Sequence, residues 1–377
     1  MTEKGQVYCR MIKVPLRRFP TGFPGQVARI ILEMQQKWVP GTMIKYCFLD
    51  QPSDFAGGDK EKNVAREGFK AWKDVGVNLT FEEVSDPADA QMRVGFKKND
   101  GYWSYVGREI LNTHYNCTKC PAAGFPSDRT PPRCPNCGSL DLETEPRTMN
   151  LDGATLAIDS RGKDVPCHEM GHTLGLPHEH QSPFAGIEWN KQAVYDEFRG
   201  YPNYWSPEVV DWNILEKHSK SAVEGSEWDP NSIMEYEFGP GLIIAPEQYK
   251  AGVYPADGSS SMDQKCIQYW YPPGKTAEEI KLNQPIELNI KQGEGKEFYF
   301  IAPETREYDF QTFGESDTVI VLFEEINGKR NQLDADDDSA ENWNAHIRYE
   351  LKKGNKYVLS IRLYWDWVGG VTTVKVW

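Results

Sequence analysis

The stretch PCHEMGHTLGLPHEH, residues 166–180, places three histidines where a single metal ion can use them. His168 and His172 are four residues apart, so on a helix both imidazoles project from one face. Gly175 can adopt the positive φ that ends a helix, and the turn that follows can bring His178 to the same metal. Three neutral imidazoles leave one position of a tetrahedral zinc ion open for water. The spacing therefore predicts a catalytic zinc site.

Glu169 stands directly beside the first histidine and is the predicted general base. Zinc lowers the pKa of a bound water to about 7, and a carboxylate next to a ligand is well placed to take its proton. The alternative is that the histidines are packed together by chance. Only 7 of the 377 residues are histidine, so three at these offsets arise at roughly one in 10⁵ starting positions. The catalytic interpretation is therefore favoured.

The segment HEMGHTLGLPHEH, residues 168–180, resembles the metzincin peptidases, and Glu179 after the third histidine resembles the astacin branch of that family. DPNSIMEYEF, residues 229–238, is similar to the methionine turn of the same branch. The resemblance implies that Met234 lies beneath the metal and that Tyr236 is an additional, displaceable zinc ligand. It also implies a zinc metalloendopeptidase, a hydrolase that cuts internal bonds of protein or peptide substrates.

Two further segments extend this resemblance. GYWSYVGR, residues 101–108, is similar to the strand region at the upper rim of the family's cleft, and SMDQKCIQYWYP, residues 261–272, to the helix that closes the catalytic domain. The implied fold is a twisted mixed sheet with long helices, an α+β or α/β metzincin domain, with zinc between upper and lower subdomains. Two positions depart from the family, because Glu235 stands where histidine is usual and Tyr102 where cysteine is common.

The residues around the histidine motif also have simpler interpretations. Met234 alone usually fills a core, and Tyr236 alone is usually a packed aromatic residue with a satisfied hydroxyl. Their spacing after the histidine motif favours the site for both. Glu179 supports the site or is simply solvated. His180 is expected at the surface or behind the ligands, and Cys167 is expected to be a buried small residue rather than a nucleophile.

Upstream of the motif, the sequence alternates between helix and strand patterns. LTFEEV, residues 79–84, and MRVGF, residues 92–96, are predicted strands, which indicates an α/β layer arrangement. KNVAREGFKAWKDVG, residues 62–76, is a predicted helix. Its predicted buried face comprises Val64, Gly68, Ala71, Trp72 and Val75.

The segment 111–148 interrupts this pattern and is rich in Pro and Cys. It contains two Cys-x-x-Cys pairs: Cys117, Cys120, Cys134 and Cys137. Four thiolates from two turns match a closed, structural zinc site, whereas the alternative is two disulfides, or one disulfide and free thiols. We predict a zinc-ribbon insert that holds a second zinc ion and has a structural or substrate-steering role.

The chain changes character near YPPGKTAEE, residues 271–279. Beyond it, short runs alternate between apolar and polar residues, and roughly seven such strands in about 100 residues are typical of an all-β sandwich. The pattern resembles the pre-peptidase C-terminal domain attached to bacterial secreted proteases. An acidic run in this region has two interpretations: it binds Ca²⁺ through oxygen ligands, or it is a solvated loop. The loop is the favoured interpretation. The run contains Asp334, Asp336, Asp337 and Asp338.

These boundaries divide the chain into three expected parts. They are an N-terminal extension, residues 1–35, a catalytic domain, residues 36–274, that contains the insert, and the sandwich, residues 275–377. In the astacin branch, an aspartate of a propeptide often caps the zinc. FAGGD, residues 55–59, is predicted here to be a loop instead. Whether the extension is inhibitory is left open by the sequence.

Composition restricts the partners. The formal net charge of −14 argues against nucleic acid as the main partner. The sequence has no apolar run of the length that spans a membrane and no N-terminal pattern of a secretory signal. If Met1 is the natural start, the protein is expected in the cytoplasm. The alternative is that the protein is exported, either by a route without such a signal or from a precursor whose signal has been trimmed. The remaining cysteines show no pairing pattern: Cys9, Cys47, Cys167 and Cys266.

The expected mechanism uses a substrate that lies extended along the cleft and adds a strand to the rim sheet. Glu169 would deprotonate the water and pass the proton to the leaving amine, while Tyr236 would leave the metal and stabilise the oxyanion. Two alternatives are a binding protein that has lost cleavage, against which the intact Glu169 argues, and a protease with one cognate target. The oligomeric state and the cleavage preference are not set by the sequence.

Overall fold

The structure is a computed structural model. It describes residues 7–11, 37–38, 40–120, 123–126, 132–156, 161–218, 227–272, 277–326, 329–365 and 369–377. The chain forms two compact units. One comprises residues 1–37, 45–75 and 81–266, and the other comprises residues 38–44, 76–80 and 267–377. The first unit is mixed α/β, and the second is rich in sheet.

Helices and strands alternate before residue 272. The described strands there are β1 (Met43–Phe48), β2 (Thr80–Glu83), β3 (Met92–Gly95), β4 (Trp103–Ser104), β5 (His114–Cys117), β6 (Phe125–Pro126), β7 (Leu142–Glu145), β8 (Met149–Asn150), β9 (Glu188–Trp189) and β10 (Ile243–Ala245). The described helices are α1 (Asp59–Asp74), α2 (Asp164–Thr173), α3 (Lys191–Arg199), α4 (Pro207–Val210) and α5 (Ser261–Trp270). None of the described helices has the length and apolar character needed to cross a membrane.

Five of these strands form one sheet in the order β2-β1-β3-β8-β4. Strands β1, β3 and β8 run parallel, and β4 pairs antiparallel with β8. The side chains of Met92, Val94 and Met149 are fully buried, as expected for parallel strands that are covered by other elements. Strand β4 lies at the end of this order, where the edge of a sheet can pair with a further extended segment.

Helix α1 packs against α2, the helix that carries the first two histidines. The indole nitrogen of Trp72 donates a hydrogen bond of 2.8 Å to the carbonyl oxygen of Cys167. A Cβ atom on Gly68 would lie 2.7 Å from the backbone nitrogen of Cys167, so the two helices approach more closely than a larger residue permits. The buried residues of α1 are Ala65, Gly68, Phe69 and Trp72.

The predicted face of α1 was therefore only partly correct. Gly68 and Trp72 are buried as predicted, whereas Val64 and Ala71 are only half-buried. Two neighbouring apolar rows run along this helix, and the sequence alone does not indicate which of them faces α2 and the sheet.

One apolar core of the first unit lies around α3, β9 and β10. Strands β9 and β10 pair antiparallel with each other. Aromatic rings dominate this core, and Phe198 stacks on Trp205 with ring centroids 5.1 Å apart. Its larger buried members are Trp189, Phe198, Trp205, Ile214, Tyr236 and Phe238. Because Tyr236 belongs to this core, the methionine-turn segment is anchored in it.

Strands β5, β6 and β7 form a small antiparallel sheet in the order β6-β5-β7. They fall within the predicted insert, residues 111–148. Near its start, Nε2 of His114 lies 3.0 Å from Oε1 of Glu109, and the imidazole stacks on Tyr105 with centroids 3.7 Å apart. This buried pair ties the insert to the segment that follows β4.

The C-terminal unit contains two sheets. Its described strands are β11 (Glu278–Glu279), β12 (Ile286–Ile290), β13 (Gly295–Ile301), β14 (Arg306–Phe313), β15 (Thr318–Ile326), β16 (Lys329–Asp336), β17 (His346–Leu351), β18 (Lys356–Leu363) and β19 (Gly370–Val376). The sheet orders are β11-β13-β18-β15-β16 and β12-β19-β14-β17. Residues of both sheets, such as Phe300 and Phe310, form one apolar core.

Candidate active site

Helix α2 presents His168 and His172 on one face, as their spacing of four residues requires. Nδ1 of His168 donates a hydrogen bond of 2.7 Å to the carbonyl oxygen of Ile233. Nδ1 of His172 donates a hydrogen bond of 2.7 Å to the carbonyl oxygen of Leu176. Each bond places the proton on Nδ1. Both Nε2 atoms therefore carry a lone pair that can bind a metal.

The turn after α2 brings the third histidine to the other two. Gly175 has a φ of 101°, a left-handed conformation that glycine adopts without a steric penalty. Nε2 of His178 then lies 3.2 Å from Nε2 of His172. The backbone nitrogen of Glu179 donates a hydrogen bond of 3.0 Å to the carbonyl oxygen of Met234, which holds the returning segment in place.

The three imidazoles fit a tetrahedral zinc ion. Zinc–nitrogen bonds of about 2.0–2.1 Å give an edge of about 3.3–3.4 Å between two ligand atoms, close to the 3.2 Å between His172 and His178. Burial lowers the pKa of His172 to about 4, and it lowers the pKa values of His168 and His178 well below the usual value. The imidazoles are therefore neutral, as metal ligands must be.

An unpaired ligand atom supports the same conclusion. Nε2 of His168 is buried and has no hydrogen-bond partner among the described residues. A buried nitrogen in this condition costs free energy unless an ion or a water satisfies it.

Cys9 completes the group, and sequence reasoning missed it. Its sulfur and one nitrogen of each of the three histidines all lie within 4.8 Å of one another. Sγ of Cys9 is 3.4 Å from Nε2 of His172, close to the edge of about 3.6 Å that mixed zinc–sulfur and zinc–nitrogen bonds produce. Cys9 lies 159 positions before His168 in the chain, so no spacing rule connects the two.

The segment around Cys9 is held in an extended conformation beside β4. Cys9 forms a parallel bridge with Tyr102, whose carbonyl oxygen accepts a hydrogen bond of 2.8 Å from the backbone nitrogen of Arg10. Two asparagine side chains hold the ends. Oδ1 of Asn203 accepts from the backbone nitrogen of Tyr8 at 3.1 Å, and Oδ1 of Asn213 accepts from that of Met11 at 2.8 Å. We call residues 7–11 the strap.

Glu169 lies on α2 beside the three histidines. Its side chain is buried on α2, and Oε2 lies 3.4 Å from Sγ of Cys9, whereas Oε1 has no hydrogen-bond partner among the described residues. Burial raises the pKa of Glu169 to about 8. The carboxyl group therefore faces the same point as the three histidines and has an oxygen available for a water or a substrate.

The methionine turn lies against α2. A Cβ atom on Gly171 would lie 2.4 Å from Sδ of Met234, so the methionine packs directly on the helix between the two histidine positions. The ring of Tyr236 lies 4.4 Å from that of His178, measured between centroids. The hydroxyl of Tyr236 donates a hydrogen bond to the carbonyl oxygen of Cys9.

Two acidic residues surround this turn. Oε1 of Glu179 accepts a hydrogen bond of 3.0 Å from the backbone nitrogen of Asp229, and burial raises the pKa of Glu179 to about 8. Glu235 is fully buried and accepts hydrogen bonds from Trp228 Nε1 at 2.6 Å and from the backbone nitrogen of Tyr236 at 2.9 Å. Both residues hold the turn that presents Tyr236.

Of the two positions expected for His180, the structure shows the one behind the ligands rather than the surface. The side chain is fully buried, and its Nε2 donates a hydrogen bond of 2.8 Å to the carbonyl oxygen of Asn213. It packs behind His178, with ring centroids 5.3 Å apart. Cys167 is buried, and burial raises the pKa of its thiol, as expected for a small core residue rather than a nucleophile.

The four insert cysteines form a second group of potential metal ligands. Sγ of Cys117 is 3.6 Å from Sγ of Cys137, and Sγ of Cys120 is 3.5 Å from Sγ of Cys134. None of the four forms a disulfide, and their sulfurs lie within 4.8 Å of one another. Zinc–sulfur bonds of about 2.3 Å give a tetrahedral edge of about 3.8 Å, so the group fits zinc.

The electrostatics at one of these thiols favour the metal-binding form. Burial would raise the pKa of Cys134, but hydrogen bonds from the backbones of Cys137 and Asn136 lower it to about 6. A thiolate is the form that binds zinc. Gly138 follows with a φ of 72° in the turn after Cys137.

The acidic run of the C-terminal unit does not form a comparable group. Among the described residues, only the two groups above bring three or more potential ligand atoms close together. Oδ2 of Asp336 instead accepts hydrogen bonds from the backbone nitrogens of Ser339 at 3.1 Å and His346 at 2.8 Å. These bonds hold the segment after β16. Asp334 and Asp336 lie within β16, so the favoured prediction of a solvated loop was wrong for this part of the run.

Comparison with known proteins gives partial matches. No family model matches the chain. Metalloendoproteinase 1-MMP of Arabidopsis thaliana is 28% identical over 149 residues, which are 38% of this chain and 36% of that protein. The chain thus matches only about a third of the length of this curated relative.

Solved structures also resemble parts of the chain. A structure of myroilysin is 26% identical, with a TM-score of 0.47, and the match covers 64% of this chain and 98% of that one. The pre-peptidase C-terminal domain of a collagenase from Bacillus anthracis is 19% identical, with a TM-score of 0.24, over 28% of this chain and 97% of that domain.

Proposed function

We propose that this chain is a zinc-dependent metalloendopeptidase that hydrolyses internal peptide bonds of proteins. The observation that carries the proposal is the convergence of His168, His172 and His178 beside Glu169, at distances that fit one zinc ion. The match to a metalloendoproteinase supports the same reaction class. Zinc, when bound there, supplies a Lewis acid that polarises oxygen groups.

The residues around the zinc position have distinct roles in this proposal. The carboxylate of Glu169 takes a proton from water and delivers it to the nitrogen of the leaving amine. The hydroxyl of Tyr236, freed from the carbonyl oxygen of Cys9, donates a hydrogen bond to the developing oxyanion. The extended substrate pairs with the sheet edge beside β4, where Tyr102 pairs with the strap here. Met234, Gly175 and Glu179 hold the ligands in place.

We further propose that the catalytic region, residues 36–274, is an astacin-like metzincin domain, with a zinc ribbon at residues 111–148 and a β-sandwich at residues 275–377. The insert thiolates hold a second, structural zinc ion. The sequence motifs HEMGHTLGLPHEH and SIMEY carry this finer assignment. The two sheets around a shared core support the assignment of the C-terminal part.

The chain described here would be the inhibited form. Sγ of Cys9 would supply a fourth ligand to a zinc ion held by the three histidines, in place of the water that a catalytic zinc ion keeps, and the strap pairs with Tyr102 beside β4. Cys9 also engages both catalytic residues, because it contacts Glu169 and accepts the hydrogen bond of Tyr236. Activity would therefore require that the strap leaves.

The test compares three zinc-loaded full-length proteins on denatured casein. The original chain should be nearly inactive, Cys9→Ala should cleave, and Cys9→Ala with Glu169→Gln should bind zinc without cleaving. Peptide fragments are detected by mass spectrometry. If Cys9→Ala binds zinc but cuts neither casein nor any protein of a whole-proteome digest, the chain is a binding protein and the proposal is wrong.

A further inference from the structure

The side chain of Tyr8 fills a pocket beside the candidate metal site. Only 5% of Tyr8 is exposed. Its ring centroid lies 4.6 Å from that of Phe198, 5.2 Å from that of Tyr236 and 6.4 Å from that of Phe238. The phenol hydroxyl donates a hydrogen bond of 2.9 Å to the carbonyl oxygen of Glu237. We call the space bounded by these groups the Tyr8 pocket.

The Tyr8 pocket borders the reacting centre. Tyr236 forms one of its walls and also lies 4.4 Å from His178 between ring centroids. Tyr8 directly precedes Cys9, whose sulfur belongs to the metal-ligand group. A side chain in this pocket therefore belongs to the residue next to the one that contacts the metal-ligand group.

The strap occupies the pocket in the manner of an extended peptide. Its backbone pairs with Tyr102 at the edge of β4, and Oδ1 of Asn203 accepts from its backbone nitrogen at Tyr8. These contacts involve backbone groups of the strap, so another peptide of different sequence can make them. The Tyr8 pocket, in contrast, contacts a side chain and can discriminate between peptides.

The chemistry of the pocket determines which side chain fits. Three aromatic walls favour a flat apolar ring, and the carbonyl oxygen of Glu237 adds an acceptor for a hydroxyl at its end. The Tyr8 side chain is buried, and the side chains of Glu197 and Glu237 lie near enough to act on it electrostatically. The same burial and negative charge disfavour an acidic side chain in this position.

We propose that the Tyr8 pocket, once the strap has left, is the substrate subsite for an aromatic side chain next to the cleaved bond. The proposal rests on the proposed peptidase function and specifies its substrates. Tyrosine and phenylalanine should be favoured, small side chains should bind weakly, and aspartate and glutamate should be rejected.

The first experiment maps cleavage of a peptide library by the zinc-loaded full chain with Cys9→Ala. Mass spectrometry of the products should show aromatic residues enriched on the order of 10-fold over alanine at one position adjoining the cut. Phe198→Leu should reduce this enrichment, whereas Phe310→Leu, a buried change in the C-terminal core, should not alter it. Cleavage without aromatic enrichment at either adjoining position overturns the proposal.

The second experiment does not depend on catalysis. N-acetyltyrosinamide should bind the full-length Tyr8→Ala chain but not the original chain, as measured by ligand-observed NMR, and N-acetylalaninamide should bind neither. Failure of the tyrosine amide to bind a folded Tyr8→Ala chain overturns the pocket assignment. A zinc-loaded Cys9→Ala chain that cuts no peptide overturns the peptidase function, and the pocket is then not a substrate subsite, whatever the NMR result.

Discussion

The hydroxyl of Tyr236 donates its hydrogen bond to the carbonyl oxygen of Cys9, the residue whose sulfur lies among the three histidines. One residue of the strap thus engages the metal-ligand group through its side chain and the proposed oxyanion donor through its backbone. A residue that blocks both must be removed before Tyr236 can act on a substrate. This relationship leads to the first two predictions.

Cys9→Ala should activate the full-length protein by at least about tenfold towards peptides, because removal of the fourth ligand weakens the strap and opens the metal position. Initial rates of peptide hydrolysis at equal zinc content provide the measurement. Cys266→Ala, which lies outside both cysteine groups, is the matched control and should leave the rate unchanged. Equal activity of Cys9→Ala and the original chain would mean that the strap does not inhibit.

Tyr236→Phe in the Cys9→Ala protein should lower kcat by on the order of 10² to 10³, because one oxyanion donor is lost. Zinc content should stay the same, since the three histidines retain their contacts. Tyr269→Phe, at an exposed position, controls for the loss of a hydroxyl. An unchanged kcat would show that Tyr236 only packs against His178.

Glu169→Gln in the same background should lower kcat by at least about 10³, because the amide cannot accept the proton of the attacking water. The variant should remain folded and zinc-loaded, as Glu169 is not among the grouped ligand atoms. Glu67→Gln on the exposed face of α1 is the control. Retention of near-normal turnover by a metal-replete variant excludes Glu169 as the base.

Two zinc ions per chain are expected, with different resistance to chelators. The histidine site should lose its metal first, together with activity, whereas the insert thiolates bind a metal that is coupled to local folding. Elemental analysis and thiol titration distinguish the sites. One zinc per chain, or insert cysteines that react only after reduction, would contradict the ribbon. Deletion of residues 113–146 should change which peptides are cut.

Gly68→Ala should lower the free energy of unfolding by about 2 kcal/mol, although alanine is the better helix former by about 1 kcal/mol. Its Cβ would lie 2.7 Å from backbone atoms of Lys163 and Cys167, so α1 and α2 must separate. Urea denaturation of the zinc-free protein provides the measurement. Glu67→Ala, one position away on the exposed side, should be neutral or slightly stabilising.

The histidine motif allowed the strongest predictions. Local rules of spacing govern His168, His172 and Gly175, because a helix and the turn after it are determined by neighbouring residues. The Cys-x-x-Cys pairs are local in the same way, and the structure places their sulfurs together. The alternating runs after residue 277 likewise correspond to strands.

The parts that were missed depend on contacts between distant residues. Cys9 carries no local signal, and tertiary contacts of the strap with Tyr102, Asn203 and Asn213 bring it to the histidines. The sequence left His180 either at the surface or behind the ligands, and the carbonyl oxygen of Asn213 permits its complete burial in the second position. In both cases a tertiary hydrogen-bond partner determines the position, and a periodic pattern does not report such partners.

The strap is joined to the domain that it covers by the same polypeptide. Its local concentration at the cleft is therefore fixed, and tethered segments reach effective concentrations on the order of millimolar, far above that of a dilute substrate. Cutting the chain between Met11 and Trp38 would turn the strap into a free peptide that dilutes away. Release of the strap from the cleft would then be irreversible, and its rate would depend on the agent that makes the cut.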